Sequence, residues 1–141
     1  MRQTTPVKSL LPIVIVLALA TGFGFWHNRS RGKVVVKSDK GLITPAMIGA
    51  DLGSRATLLQ FSSAFCGPCR ATRLLIEDVT AEMADVAHVE IDAEANLELV
   101  RKLDIRSTPT TLFLDSRGHE VGRAMGAPKR DQVLQAISAI A

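Results

Sequence analysis

The stretch FSSAFCGPCRATRLL, residues 61–75, holds both cysteines of this 141-residue chain, Cys66 and Cys69, with only Gly67 and Pro68 between them. A cross-link between residues so close in sequence restrains the unfolded chain little, because the entropy it removes grows with loop length. Stability is therefore a poor reason for the pair. Ahead of it, ATLLQFSS (56–63) is the short apolar run of a buried strand, and behind it Ala71, Leu74, Leu75, Val79 and Met83 recur at helical spacing. The cysteines thus stand at a strand-to-helix turn. Unpaired N–H groups and the helix dipole favour a thiolate there, and such sites bring thiol pKa values to ~3.5–7.5 from about 8.5. Pro68 suits the first helical turn, where a missing N–H is no loss. A second thiol within reach can resolve a mixed disulfide formed at the first.

Two plainer readings compete. Zinc would take four ligands, and His27, His88 and His119 lack the spacing that would complete a site with one cysteine pair, so no metal is expected. An inert core pair would not need Gly-Pro between its members. Arg70 and Arg73 would favour a thiolate electrostatically, although a solvated helix face explains them as well.

Beyond the cysteines, strand and helix patterns alternate. AHVEID (87–92) places Ala87, Val89 and Ile91 on one face, and NLELVRKLDI (96–105) reads as a short helix with Asn96 as N-cap. TTLFLD (110–115) and EVGRAMG (120–126) flank Ser116-Arg117-Gly118-His119, a hairpin turn in which Gly118 supplies the positive φ. KRDQVLQAISAI (129–140) closes as a helix with Val133, Leu134, Ile137 and Ile140 inward. The order predicts an α/β fold, a mixed central sheet flanked by helices, parallel across the helical crossover and antiparallel at the hairpin. Repeats and low-complexity tracts are absent.

Residues 42–141 resemble the thioredoxin family, through FCGPCR at its active-site turn and RSTPTTLFLD (106–115) at the segment carrying its cis-proline. Gly118 and Gly126 fall where that family has a hairpin glycine and a strand-end glycine. The resemblance implies a thioredoxin-like fold and a thiol-disulfide oxidoreductase with no cofactor beyond a redox-active Cys66–Cys69 disulfide. Cys66 would be the exposed attacking thiol and Cys69 the buried resolving one, in a turn completed by Phe65, Gly67 and Pro68. Pro109 would be cis and lie against the disulfide, with the Thr108 backbone pairing with substrate as an added strand. Gly67-Pro68 resembles reducing members. Implied partners are protein disulfide substrates and an electron donor that the sequence does not name.

Four positions depart from the family pattern. Phe65 stands where Trp is usual and loses the indole N–H. Gln60 replaces the buried acid assigned to proton transfer at the resolving cysteine, and Gln cannot exchange a proton at neutral pH. His88 falls where a lysine commonly pairs with that acid, so Gln60 and His88 form a candidate proton relay, with hydrogen-bonded packing as the alternative. Leu74 replaces a helix-kinking proline and implies a straighter helix.

Residues 1–40 carry seven Lys/Arg against one acid, and residues 41–141 ten against thirteen, so the basic pI of 9.2 reports the N-terminal segment. Residues 41–141 lack the basic balance that phosphate binding requires, and no nucleic-acid partner is expected. After a flank at 1–9, LLPIVIVLALATGFGFW (10–26) is seventeen residues without a charge, about 26 Å as a helix, and reads as a transmembrane anchor. Phe23, Phe25 and Trp26 suit a headgroup boundary. A signal peptide cleaved near Ala18-Leu19-Ala20 is the alternative, with apolar residues on both sides of the site against it. Residues 27–41 form a charged linker in which Val34–Val36 serves as edge strand or spacer. The expected location is a single-pass membrane protein. Lys/Arg bias points the domain to the cytoplasmic side, although an N-terminal signal-anchor commonly runs the other way. The functional reading is a membrane-tethered reductant of protein disulfides. Its alternatives are a dedicated reductant of an envelope pathway such as cytochrome maturation and a non-catalytic docking or redox-sensing module.

Overall fold

The computed structural model describes residues 7–29, 34–35 and 41–140, in two compact units, Met1–Arg31 and Gly32–Ala141. The flank at 1–9 and the linker at 27–41 fall largely outside the described residues. In the first unit, α1 (Val7–Arg29) is a single helix that includes Pro12, and Thr21 Oγ1 donates to the Leu17 carbonyl one turn back. The anchor expected over 10–26 is not supported: among the described residues no helix is long and apolar enough to cross a membrane. Its uncharged run is seventeen residues, whereas a hydrocarbon core of ~30 Å asks for about twenty. The single-pass location, the cytoplasmic orientation and the membrane as a partner fall with that correction.

The second unit is built on a five-stranded sheet in the order β1-β5-β4-β2-β3, where β1 is Val34–Val35, β2 Ala56–Ser62, β3 Val86–Asp92, β4 Thr110–Asp115 and β5 Glu120–Met125. Strands β2 and β3 are parallel because α3 (Gly67–Thr80) crosses between them, and the remaining pairings are antiparallel. Of the two readings of Val34–Val36, Val34–Val35 takes the edge strand, paired with Ala124 and Arg123. Strand alternation divides the core in two. Leu58, Phe113 and Val86 meet Ile76 and Val79 of α3 and Val133 and Ile137 of α5 (Arg130–Ser138). Leu59, Phe61, Ile91, Leu112 and Leu114 meet Ile43, Ile48 of α2 (Pro45–Ile48), and Leu103 and Ile105 at and beyond the end of α4 (Leu97–Lys102).

Three local expectations are corrected. The inward stripe of α3 is Cys69, Thr72, Ile76 and Val79, while Leu74 is 56% exposed; two residues from Ile76, it lies about 200° around the helix. Met83 lies beyond the helix and packs against the core from the loop. Helix α4 is shorter than 96–105, and Asn96 makes no cap bond: its amide donates to the Asp92 carbonyl at 2.9 Å. At the hairpin Gly118 has φ +86° and receives the Ile43 N–H on its carbonyl at 2.9 Å, so the turn also fastens the segment leading into α2.

Candidate active site

Strand β2 is buried along its whole length and delivers the chain to the surface at Ser63 and Ala64. Phe65 then turns through the left-handed region at φ +60° and stands fully exposed, and Cys66 is the N-cap of α3. The Cys69 N–H donates to Cys66 Sγ at 3.2 Å and to the Cys66 carbonyl at 3.1 Å, and the Arg70 N–H donates to that carbonyl at 3.3 Å. The Cys69 N–H, an orphan donor of the helix terminus, thus reaches the Cys66 sulfur, and no acid in the first turn opposes the dipole there. Pro68 occupies that turn as expected.

Cys66 and Cys69 form a disulfide. Cys69 is 3% exposed, whereas Cys66 is only half-buried, so one sulfur faces solvent and the other the core. A nucleophile from outside reaches Cys66 first. Arg73 is engaged elsewhere, with Glu77 and with Glu90 at 3.4 Å, as a solvated face predicts.

Beneath the helix, alternation along β2 points Gln60 to the α3 side, where it is fully buried. Its Nε2 donates to the Cys69 carbonyl and to Ser62 Oγ, both at 2.9 Å, and its Oε1 lies 3.2 Å from His88 Nε2 on β3. The Cys69 carbonyl can only accept, which assigns the amide orientation. The same logic places a proton on His88 Nε2 and leaves Nδ1 as the site that titrates. Burial lowers the His88 pKa below its ordinary 6.5, Glu77 and Glu90 oppose that shift, and Arg73 reinforces it. The sequence pairing of Gln60 with His88 is thus physical contact, but Gln60 reaches the backbone of Cys69, not its sulfur.

Across the turn, Thr108–Pro109 is a cis peptide bond. Pro109 is buried, and its carbonyl accepts from the Gly126 N–H at 2.8 Å, while the Thr108 and Ser63 hydroxyls lie 2.9 Å apart. The hydroxyl pair ties the end of β2 to the segment before β4. Alongside runs a groove of about 280 Å³ lined in part by Ser63, Leu97, Val100, Ile105 and Thr108. Sequence reasoning passed over Ser62 and Ser63; nothing but their place between the strand and the cysteines marked them. Among the described residues no cluster of three or more His, Cys, Asp or Glu is placed to hold a metal ion.

The model of the family described as Thioredoxin matches residues 49–139. The chain is 28% identical over 102 residues to Thioredoxin H5 of Oryza sativa subsp. japonica, covering 72% of this chain and 75% of that one. It is 32% identical over 88 residues to a thioredoxin of Mycolicibacterium smegmatis, covering 60% and 78%. Among solved structures, thioredoxin of Fasciola hepatica superposes with a TM-score of 0.56 at 27% identity, covering 63% of this chain and 84% of that one. A thioredoxin of Nicotiana alata gives 0.55 at 29%, covering 60% and 72%. With the family model spanning most of the chain and the Cys66–Cys69 disulfide set at the start of α3, the chain belongs to the thioredoxin family and is a thiol-disulfide oxidoreductase.

Proposed function

We propose that this protein reduces protein disulfides, with Cys66 as the attacking thiol and Cys69 as the resolving thiol. The observation that carries the reading is the unequal exposure of two sulfurs held at one helix N-terminus. In the reduced protein, the Cys66 thiolate attacks one sulfur of a substrate disulfide, forming a mixed disulfide and releasing the other substrate sulfur as a thiolate, which takes up a proton. Cys69 loses its proton and attacks Cys66 Sγ, the mixed disulfide breaks, and the second substrate thiol leaves. Two electrons pass to the substrate, and the protein is left with the Cys66–Cys69 disulfide found in the structure. A dithiol donor reverses that state by the same exchange.

In this reading Phe65, Gly67 and Pro68 shape the turn, and substrate pairs as an extended strand with the Thr108 backbone next to Pro109. Gln60 is a fixed bridge, not a carrier. It donates to the Cys69 carbonyl and accepts from His88, so the charge on His88 acts on Cys69 through polarised hydrogen bonds. The Gly67-Pro68 pair, like that of reducing relatives, sets the direction. Dithiothreitol-driven reduction of insulin tests the proposal: the full chain is active and Cys66→Ser is slower by about a thousandfold or more. Equal rates for the two would overturn it.

A further inference from the structure

Strand β5 carries a charged pair that the chemistry above does not use. Arg123 is 5% and Glu120 8% exposed, and the guanidinium meets the carboxylate in two bonds, Nε to Oε1 at 2.5 Å and an η-nitrogen to Oε2 at 2.6 Å. In a regular strand, residues three apart point to opposite faces. Here the register slips: Phe113 pairs with Gly122 but Leu114 with Glu120, so Val121 is an extra residue. The bulge turns Glu120 onto the face of Arg123, the face that α4 covers. The guanidinium has donors left over, and they point at the end of α4, reaching the carbonyls of Leu103 at 3.2 Å and Asp104 at 3.4 Å. Those carbonyls begin the segment that runs through Ile105 and Thr108 along one wall of the groove that Ser63, three residues ahead of Cys66, also lines, and ends at Pro109. At its far end the segment is fastened by the Ser63–Thr108 hydroxyl pair and the Gly126 N–H.

We infer that Arg123, held in place by Glu120, is a positioning residue for substrate docking: it fixes the start of segment 104–109 and thereby the wall against which a protein substrate lies. The inference rests on the reading of Thr108 and Pro109 as the docking edge. Arg123 touches neither sulfur. Its contribution therefore belongs to the binding of an extended chain and not to exchange between sulfurs. Lysine cannot replace it, because one ammonium does not span two carboxylate oxygens and two carbonyls.

The test compares the full chain with Arg123→Lys and with the double variant Glu120→Leu/Arg123→Met, which leaves no buried charge unpaired and so keeps the fold within reach. Each is measured by thermal melting, by the reduction potential of the Cys66–Cys69 pair, and by kinetics on insulin and on the small aromatic disulfide 5,5′-dithiobis(2-nitrobenzoate). The expected result is a rise in insulin KM of about tenfold, with kcat, the potential and the small-disulfide rate unchanged. An unchanged insulin KM in the folded variants would overturn the inference, and so would parallel losses on both substrates, which signal a general defect. Pro109→Ala is measured beside them. If that variant also leaves insulin KM unchanged, the docking edge itself is misassigned; if only the Arg123 variants do, the error lies in the clamp alone.

Discussion

At the scale of single residues, the site is an arrangement of donors at the Cys66 sulfur and the Cys69 carbonyl, and His88 is the titrating group wired to it through Gln60. Its folded pKa is depressed by burial. Between that value and 6.5 the unfolded chain binds a proton that the folded one does not, so stability rises with pH through this window. It is complete above the window and is lost as pH falls to the folded pKa. We expect the melting temperature to drop on acidification below pH 6.5, and His88→Asn, which keeps a donor for Gln60, to flatten that part of the profile. Equal slopes in the two proteins would remove His88 from the account. Asp85, lowered mainly by its hydrogen bond to Arg55, and Asp115, where desolvation is outweighed by hydrogen bonds and His119, contribute stability that is lost only as pH falls below 3.8. The cysteine pair and Pro68 were legible in the sequence from residue type and spacing, whereas the cis Thr108–Pro109 bond and the Gln60–His88 contact were legible only through the family resemblance. The orientation of the Gln60 amide was not, since it depends on which atom of Cys69 faces it.

At the scale of elements, turns do the aiming. Gly118 stands at φ +86°, and a Cβ there would run into the Ile43 carbonyl oxygen. Gly118→Ala should cost about 1–3 kcal/mol from backbone strain alone, read as a lowered urea midpoint with unchanged slope. A midpoint equal to the parent's would show that the hairpin absorbs the change. The hairpin, the crossover helix and the mixed sheet followed from alternation and a single glycine. Helix ends did not follow so readily. Asn96 is a good cap by type, yet its side chain finds the Asp92 carbonyl instead, and α4 ends at Lys102. The bulge at Val121 was invisible for a different reason: an extra residue leaves no mark in a six-residue strand until the partner strand is known. Glu120 and Arg123 were the only hint, two charges in a strand whose faces both needed to be buried.

At the scale of the molecule, a mixed sheet with a core on each face holds the disulfide just beyond the end of its interior strand β2. Phe113 lies fully buried among residues from α3, α5, β2 and β3, so Phe113→Ala should cost about 3–5 kcal/mol. Against a typical total of ~5–15 kcal/mol, that brings the domain near its unfolding threshold without touching the site. A loss under about 1 kcal/mol by urea unfolding would mean that the cavity refills. The N-terminal run shows where composition misleads: seventeen uncharged residues form a helix as expected, but no membrane-crossing helix occurs among the described residues. The central claim concerns the order in which the two sulfurs act. It is tested most directly by Cys69→Ser: incubated with oxidised insulin, that variant should accumulate a covalent adduct at Cys66 that dithiothreitol releases, while Cys66→Ser accumulates none. An adduct through Cys69 in the Cys66→Ser variant, with none in Cys69→Ser, would contradict the assignment of attacking and resolving thiols.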